Sequence, residues 1–168
     1  MAYVLLGACW LILKTEGELQ ARARNQARLC FLGTLAAVGI VSLWTPLVDS
    51  GIAQRWFSWP NIAFLSPVPA LTVLFGILEW RAIADRKAEL SPFFYAVLLF
   101  SLSYLGIAIS LFPMIVPHHY DLWQAASSPD TQIFLGVGTL FLLPVILVYT
   151  GWSYWVFRGK VRADTGYH

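Results

Sequence analysis

Two adjacent histidines, His118 and His119, are the side chains in this sequence best suited to bind a metal. Neighbouring residues on a helix point about 100° apart, so the pair could not converge on one ion there, and Asp121 is the only carboxylate nearby. A haem inside a membrane would need an axial histidine or methionine at bilayer depth. Met114, the only methionine besides Met1, lies at the end of an apolar run. We therefore expect no catalytic, metal-binding or cofactor-binding residue in this chain.

Other reactive side chains lie within or beside apolar runs. Glu79 is the one acidic residue close to the core of a predicted span, and Arg81 follows two residues later, near the cytoplasmic end. Long charged side chains near the end of a membrane helix reach towards the interface, and we expect Glu79 to do the same. Cys9 and Cys30 form no CxxC motif, so we interpret them as small buried apolar residues.

The composition is typical of a membrane protein. Of the 168 residues, 58% are hydrophobic and 12% are charged, whereas soluble domains carry about 25% charged residues. Four segments contain no charged residue: 29–48, 56–78, 90–117 and 131–157. Each is long enough to cross a hydrocarbon core of about 30 Å as a helix, which satisfies its own backbone polar groups in lipid. The predicted fold class is an all-α integral membrane protein with four full transmembrane helices in a bundle.

Prolines mark the ends of the first two predicted spans. The first span covers about residues 29–47 and ends near Pro46, and the second covers about residues 60–83. Pro67 and Pro69 near the start of the second span predict a kink or a broken first turn, because proline cannot donate the backbone hydrogen bond of a helix interior.

The third and fourth spans are predicted to begin with the same chemistry, a serine N-cap followed by proline at the first helical position. The two pairs are Ser91-Pro92 and Ser128-Pro129. The third span is predicted to end within residues 113–117 and the fourth at about residue 157. Pro144, in the middle of the fourth span, leaves the carbonyl of Leu140 without its helical donor.

Basic residues alternate between the two sides of the predicted membrane. The segments 14–28, 49–59, 79–90, 117–130 and 158–168 carry four, one, three, none and three Lys or Arg residues. The positive-inside rule assigns the first, third and fifth of these to the cytoplasm. The chain then divides into the end of a transmembrane helix with a cytoplasmic basic segment (1–28), a four-helix transmembrane repeat (29–157) and a cytoplasmic tail (158–168). A net charge of +2 without one basic patch argues against nucleic acid as a partner.

The first apolar run is short for a crossing. Only 13 uncharged residues precede Lys14, whereas a transmembrane helix needs about 20. Because the segment after Lys14 is predicted to be cytoplasmic, we interpret this run as the end of a truncated transmembrane helix whose start is absent. The alternative is that Met1 is a genuine start and the helix is unusually short.

The stretch that follows predicts a new helix at the membrane surface. Thr15 and Glu18 have the spacing of a capping box, and Gly17 lies between them. Three arginines are expected to face lipid headgroups: Arg22, Arg24 and Arg28.

Aromatic side chains mark both interfaces in the predicted topology. The outer group is Trp56, Phe57 and Trp59, and the cytoplasmic group is Trp152, Tyr154 and Trp155. Tryptophan and tyrosine are enriched where a membrane meets water, so we interpret both groups as interface residues.

Three stretches together resemble the C-terminal half of subunit II of cytochrome bd-type quinol oxidases, including the cyanide-insensitive variety. The first has a K-T-x-G-E-L motif, the second joins F-P-x-x-x-P to W-x-A-A-S-S, and the third reads P-V-I-L-x-Y-T-x-W-x-Y-W. The residues are Lys14, Thr15, Gly17, Glu18 and Leu19; Phe112, Pro113, Pro117, Trp123, Ala125, Ala126, Ser127 and Ser128; and Pro144 to Trp155. The resemblance covers essentially the whole chain.

The resemblance implies a subunit of a bacterial inner-membrane oxidase that passes electrons from ubiquinol to dioxygen. It implies a haem-free chain that pairs as a heterodimer with subunit I, which would hold haems b and d and the quinol-oxidation loop. A quinone is a further ligand reported in this family, although no residue here can be assigned to it. Family members are about twice as long, so any proton-path carboxylates of their first repeat cannot be carried over.

Two other functions compete with an oxidase subunit: a transporter or channel module, and a structural scaffold. A transporter needs polar residues along a pathway, and the spans offer only hydroxyl side chains, which usually bond to their own backbone. These are Thr72, Ser101, Ser103 and Thr139. A scaffold would differ from an oxidase subunit mainly in its partner.

Overall fold

The computed structural model describes residues 1–116 and 119–160. Its helices are α1 (Ala2–Lys14), α2 (Gly17–Val48), α3 (Ser50–Phe57), α4 (Asn61–Leu65), α5 (Pro67–Ala84), α6 (Ser91–Leu111) and α7 (Pro129–Val156). The strands are β1 (Met114–Val116) and β2 (Tyr120–Asp121). Pro117 and His118, and residues 161–168 of the predicted tail, lie outside the described residues.

The predicted all-α membrane fold is confirmed. Four helical stretches are long and apolar enough to cross a membrane: α2, α4 with α5, α6 and α7. The first apolar helix, α1, has 13 residues and is shorter than a typical span. All of the helices except α3 contain or belong to an apolar run, in which the backbone must form its own hydrogen bonds in lipid.

The boundary of the first full span differs from the predicted one, because the basic segment before it is helical. α2 begins at Gly17 and continues without a break to Val48, so the surface helix and the first span are one element. The predicted break in the second span is confirmed, because α4 ends at Leu65 and α5 starts afresh at Pro67.

Ser91 was wrongly predicted as an N-cap. The capping position of α6 is Leu90, and Ser91 is already helical. The prediction of an N-cap is correct for Ser128, which precedes Pro129 at the start of α7. Its hydroxyl, however, lies 3.0 Å from the Thr131 hydroxyl, and no side-chain hydrogen bond caps the helix.

Two elements of the connections between spans were not predicted, the helix α3 and the β1–β2 hairpin. Asp49 caps the short helix α3, because its carboxylate accepts from the backbone N–H of Gly51 at 2.8 Å. The Arg55 guanidinium donates to the Ile109 carbonyl at 3.0 Å, which fixes α3 against α6. β1 and β2 form an antiparallel hairpin after α6.

The core of residues 1–112 lies where α1 packs against α2 and α6, and where α2 and α6 pack against α5. Its buried members are Leu5, Ala8, Cys9, Ile12, Ala23, Ala27, Cys30, Phe31, Ile83 and Ala96. Alanines at the α1–α2 contact let the two helix backbones approach closely. Residues 113–159 form a second unit, in which the hairpin precedes α7 and no residue of α7 is buried.

Candidate functional site

The junction between α1 and α2 is built from local hydrogen bonds. The Thr15 hydroxyl donates to the Leu11 carbonyl at 2.7 Å and so closes the last turn of α1. Gly17 has a φ of +67°, a left-handed conformation that glycine adopts without a Cβ clash. The chain therefore reverses between the two helices within a few residues.

The predicted capping box between Thr15 and Glu18 is wrong. The capping position of α2 is Glu16, and no side-chain hydrogen bond caps this helix. The Thr15 hydroxyl is already used by α1, and the Glu18 carboxylate instead accepts from Arg22 at 2.6 Å. Both members of this ion pair are exposed, so it contributes little to stability.

Arg24 is buried, which corrects the prediction that it faces lipid headgroups. Only 6% of the residue is exposed. Its guanidinium donates to five backbone carbonyls at the end of α5 and in the following turn. The acceptors are Ala82 at 3.4 Å, Ile83 at 3.3 Å, Asp85 at 2.8 Å, Arg86 at 3.2 Å and Ala88 at 2.6 Å. The last carbonyls of a helix have no donor within the helix. The Arg24 side chain, which belongs to α2, therefore caps the C-terminus of α5.

Gln20 connects the same turn to the end of α1. Its side-chain amide lies 2.9 Å from the Ile12 carbonyl, 3.0 Å from the Thr15 carbonyl and 3.4 Å from the Glu89 carboxylate. Gln20 and Arg24 lie one turn apart on α2 and so present polar groups to one side of that helix. Together they join the α1–α2 junction to the α5–α6 connection.

Lys160 completes this polar cluster. Its ammonium group lies 2.6 Å from the Glu89 carboxylate and 3.6 Å from that of Glu16. The Lys160 hydrogen bond, and then that of Gln20, hold the pKa of Glu89 below its usual range. In turn, the Glu89 hydrogen bond raises the pKa of Lys160.

The pair predicts a pH-dependent contribution to stability. Since the pKa of Glu89 is lowered in the folded protein, the contribution is present above the ordinary pKa of a glutamate and is lost as the pH falls through the lowered value. Replacing Glu89 with Gln should therefore slightly flatten the acid side of the melting temperature–pH profile at low salt. Added salt should remove the difference, because exposed charges are screened. The control is Glu18→Gln, which changes another exposed ion pair. Identical low-salt profiles of melting temperature against pH for Glu89→Gln and the wild type would contradict this prediction.

Glu79 lies in the core, so the prediction that it reaches the interface is wrong. The residue is 0% exposed, and its Oε1 atom accepts from the Cys9 thiol at 3.4 Å. Gly76, Ala82 and Ile83 are also buried, at the spacing that places them on the same face of α5 as Glu79. Arg81 is exposed. Glu79 therefore belongs to the packed face of the helix, and reaching the interface would require α5 to turn.

Both cysteines are free and buried, as predicted. Cys9 also has a polar role that its sequence position did not reveal, since its thiol donates to Glu79 across 70 positions of sequence. Two of the four hydroxyl residues considered for a transport pathway, Thr72 and Ser101, donate to their own helices. Thr72 bonds to the Val68 carbonyl at 2.8 Å, and Ser101 bonds to the Val97 carbonyl at 2.9 Å.

The remaining predicted site residues lie at several separate places. The Lys14 ammonium is 5.0 Å from the centre of the Trp10 ring, a cation–π contact. In the second unit, the rings of Trp152 and Trp155 lie 5.3 Å apart. The Arg158 guanidinium lies 4.6 Å from the Trp155 ring.

The W-x-A-A-S-S motif comes together beside the hairpin. Trp123, Ala125, Ala126 and Ser127 help to line an open cavity of about 480 Å³ in the second unit. The Pro113 carbonyl accepts from the Leu122 N–H at 2.9 Å and so joins the ends of this connection. Pro144 lies inside α7. Among residues 1–116 and 119–160, no group of three or more His, Cys, Asp or Glu side chains could hold a metal ion.

Comparison with known proteins identifies one family. The family model described as cytochrome bd terminal oxidase subunit II matches residues 1–157. Cytochrome bd-I ubiquinol oxidase subunit 2 of Escherichia coli K12 is 27% identical over 187 residues, which cover 94% of this chain and 49% of that protein. A probable cytochrome oxidase subunit 2 of Haemophilus influenzae is 24% identical over 186 residues, with the same coverage. The chain thus spans about half the length of the curated relatives it matches.

Proposed function

The chain belongs to the cytochrome bd terminal oxidase subunit II family, and on this basis we propose that it is the haem-free subunit II of a respiratory quinol oxidase. In the proposed complex, ubiquinol is oxidised to quinone and its electrons reduce dioxygen to water. Protons from quinol are released outside, and those that form water come from the cytoplasm. The family match over residues 1–157 carries this proposal, because it includes all four helical stretches that are long enough to span a membrane.

We propose that haems b and d and the quinol-oxidation site belong to a larger subunit I. The positions of candidate ligands in this chain support that assignment. Met114 lies in β1, and His119 lies between β1 and β2, so neither belongs to a helix core. When bound, the haems supply electron transfer and dioxygen reduction, and this chain would support them by binding subunit I as a heterodimer.

The proposed contact with subunit I, or with lipid, uses the apolar exterior of the helices. α7 carries large apolar side chains and buries none of its residues. We propose that the motif and interface residues orient the chain in this setting. They are Lys14, Thr15, Gly17, Glu18, Pro113, Pro117, Trp123, Pro144, Trp152 and Trp155. Pro117 is outside the described residues.

The proposed location is the bacterial plasma (inner) membrane, with the tail 158–168 in the cytoplasm. The alternating counts of basic residues support this orientation. The proposed domains are the basic segment and preceding helix end (1–28), a transmembrane repeat (29–157) and the tail. Reporter fusions after residues 87 and 160 should both indicate the cytoplasm.

Quinol-driven oxygen uptake tests the proposed function. Membrane vesicles from cells that lack this gene should lose the oxygen uptake that a bd-type oxidase provides, and the gene on a plasmid should restore it. The control for general membrane damage is a strain that lacks a gene for a subunit of an unrelated membrane complex. Unchanged quinol-driven uptake, measured when other terminal oxidases are deleted, would contradict the proposal.

Replacing both His118 and His119 with Ala should leave the haem spectrum of the complex unchanged. The reason is that His119 lies between β1 and β2 rather than in a helix, and we assign the haem ligands to subunit I. The measurement is a reduced-minus-oxidised visible spectrum at matched protein amounts. A lost haem band with normal levels of both subunits would show that this assignment is wrong.

A further inference from the structure

The two carboxylate oxygens of Glu79 have different surroundings. Oε1 accepts from the Cys9 thiol at 3.4 Å, whereas buried Oε2 has no hydrogen-bond partner among the described residues. Ion pairs seen among the described residues include Arg22 with Glu18, and Lys160 with Glu16 and Glu89, and none of these includes Glu79. Glu79 is therefore a fully buried carboxyl group without a counterion in the described part of the chain.

A buried carboxyl group of this kind is costly if it is charged. An ionised carboxylate in apolar surroundings needs a cation or several hydrogen bonds, and without them the neutral form is favoured. The hydrogen bond from the Cys9 thiol is weak, so it offsets little of the cost of burying a charged carboxylate. Ionisable residues within membrane helices are rare and mark sites of proton or ion transfer. Burial and the missing partner on Oε2 therefore point to a proton as the ligand of this group.

Open space lies beside the same helix face. Gly76 is buried, yet a Cβ atom added there would meet no atom within 4 Å. Gly76 precedes Glu79 by three residues and so lies on the same side of α5. In a helix, side chains tilt towards the N-terminus, which is the direction of Gly76 from Glu79. The packing thus leaves room for a Cβ atom at Gly76, one turn from a carboxyl group that lacks a partner.

We propose that Glu79 and Cys9 form a buried proton-binding site in which Oε2 carries an exchangeable proton. Release breaks the Oε2–H bond, leaves its electron pair on Oε2 and passes the proton to water. Uptake reverses these changes, so the Cys9 thiol keeps its own proton throughout. The site goes beyond the proposed oxidase role, because proton binding by this pair does not depend on which partner carries the haems.

The charged and titratable groups around the site come from each packed helix. Cys9 lies on α1, and Arg24 and Cys30 lie on α2. On α6, Tyr95 packs its ring against Phe75 of α5. Arg24 donates to the Ile83 carbonyl one turn beyond Glu79, and the Ile83 side chain is fully buried. The polar cluster therefore begins one helical turn beyond Glu79, where the Ile83 carbonyl accepts from Arg24.

Infrared difference spectroscopy of the purified complex in lipid tests the site. The wild type should show a carbonyl band of a protonated carboxyl group that is absent in Glu79→Gln and shifts when the buffer is changed to heavy water. Glu18→Gln removes an exposed carboxyl group and should leave the band unchanged. Absence of a Glu79-dependent band at neutral pH, or a band unaffected by heavy water, would overturn the proposal.

The cysteines provide a second measurement that does not require replacing Glu79. Cys9→Ala should move the carbonyl band to higher frequency, because Oε1 loses its donor, and should remove a low-frequency S–H stretching band. Cys30→Ala, which replaces the other buried cysteine, should change neither. A carbonyl band at the same frequency in Cys9→Ala and the wild type would show that this pair does not form the site.

Discussion

Replacing Arg24 with Met should destabilise the protein by about 3 kcal/mol or more. Its guanidinium contacts five backbone carbonyls, the shortest at 2.6 Å, and each buried acceptor left without a donor costs about 1–3 kcal/mol. Methionine fills similar space without any donor. The measurement is the melting temperature of the purified complex in detergent, together with the amount of assembled complex in membranes.

Two further variants show whether the guanidinium itself matters. Arg24→Lys should recover only part of the stability, because an ammonium group cannot span acceptors that the planar fork reaches together. Arg22→Met, two positions earlier and exposed, should cost no more than about 0.5 kcal/mol. Equal melting temperatures for Arg24→Met and Arg22→Met would show that Arg24 does not cap α5.

Replacing Ile83 with Ala should cost about 2–5 kcal/mol, the range for removing buried methyl groups and leaving a cavity. Ile83 is 0% exposed and belongs to the core that α1, α2, α5 and α6 share. The matched control is Ile77→Ala, on the same helix but 50% exposed, where lipid can fill the lost volume. We would measure thermal unfolding of both variants in the same lipid. Equal losses would mean that Ile83 is not part of a packed core.

The spans could be predicted from sequence because the membrane acts on each one locally. Every apolar run must satisfy its own backbone hydrogen bonds, so composition alone is enough to predict α2, α5, α6 and α7. The break before Pro67 was also predictable, since it depends on the chemistry of one residue. The continuity of residues 17–28 with the first span, and the burial of one face of that stretch, were not predictable, because the stretch is polar and its buried face is defined by contacts with α1 and α5.

The candidate site could not be predicted, since its contacts join distant positions. Glu79 bonds to Cys9 across 70 positions, and Arg24 reaches carbonyls 58 to 64 positions away. In sequence, each looks like a charged residue near a span end, for which the interface is the usual place. One signal was present for Arg24: the alanines Ala23 and Ala27 beside it continue the apolar face of α2. A charged residue on such a face is a candidate for a buried cap.

We propose that this chain is a haem-free subunit of a haem-bearing oxidase. The most direct test is to purify the protein in mild detergent from native membranes and to record a reduced-minus-oxidised visible spectrum of the product. We expect haem bands together with a larger co-purifying subunit, and haem bound to that subunit when the two are separated. A pure, haem-free protein without such a companion would contradict it.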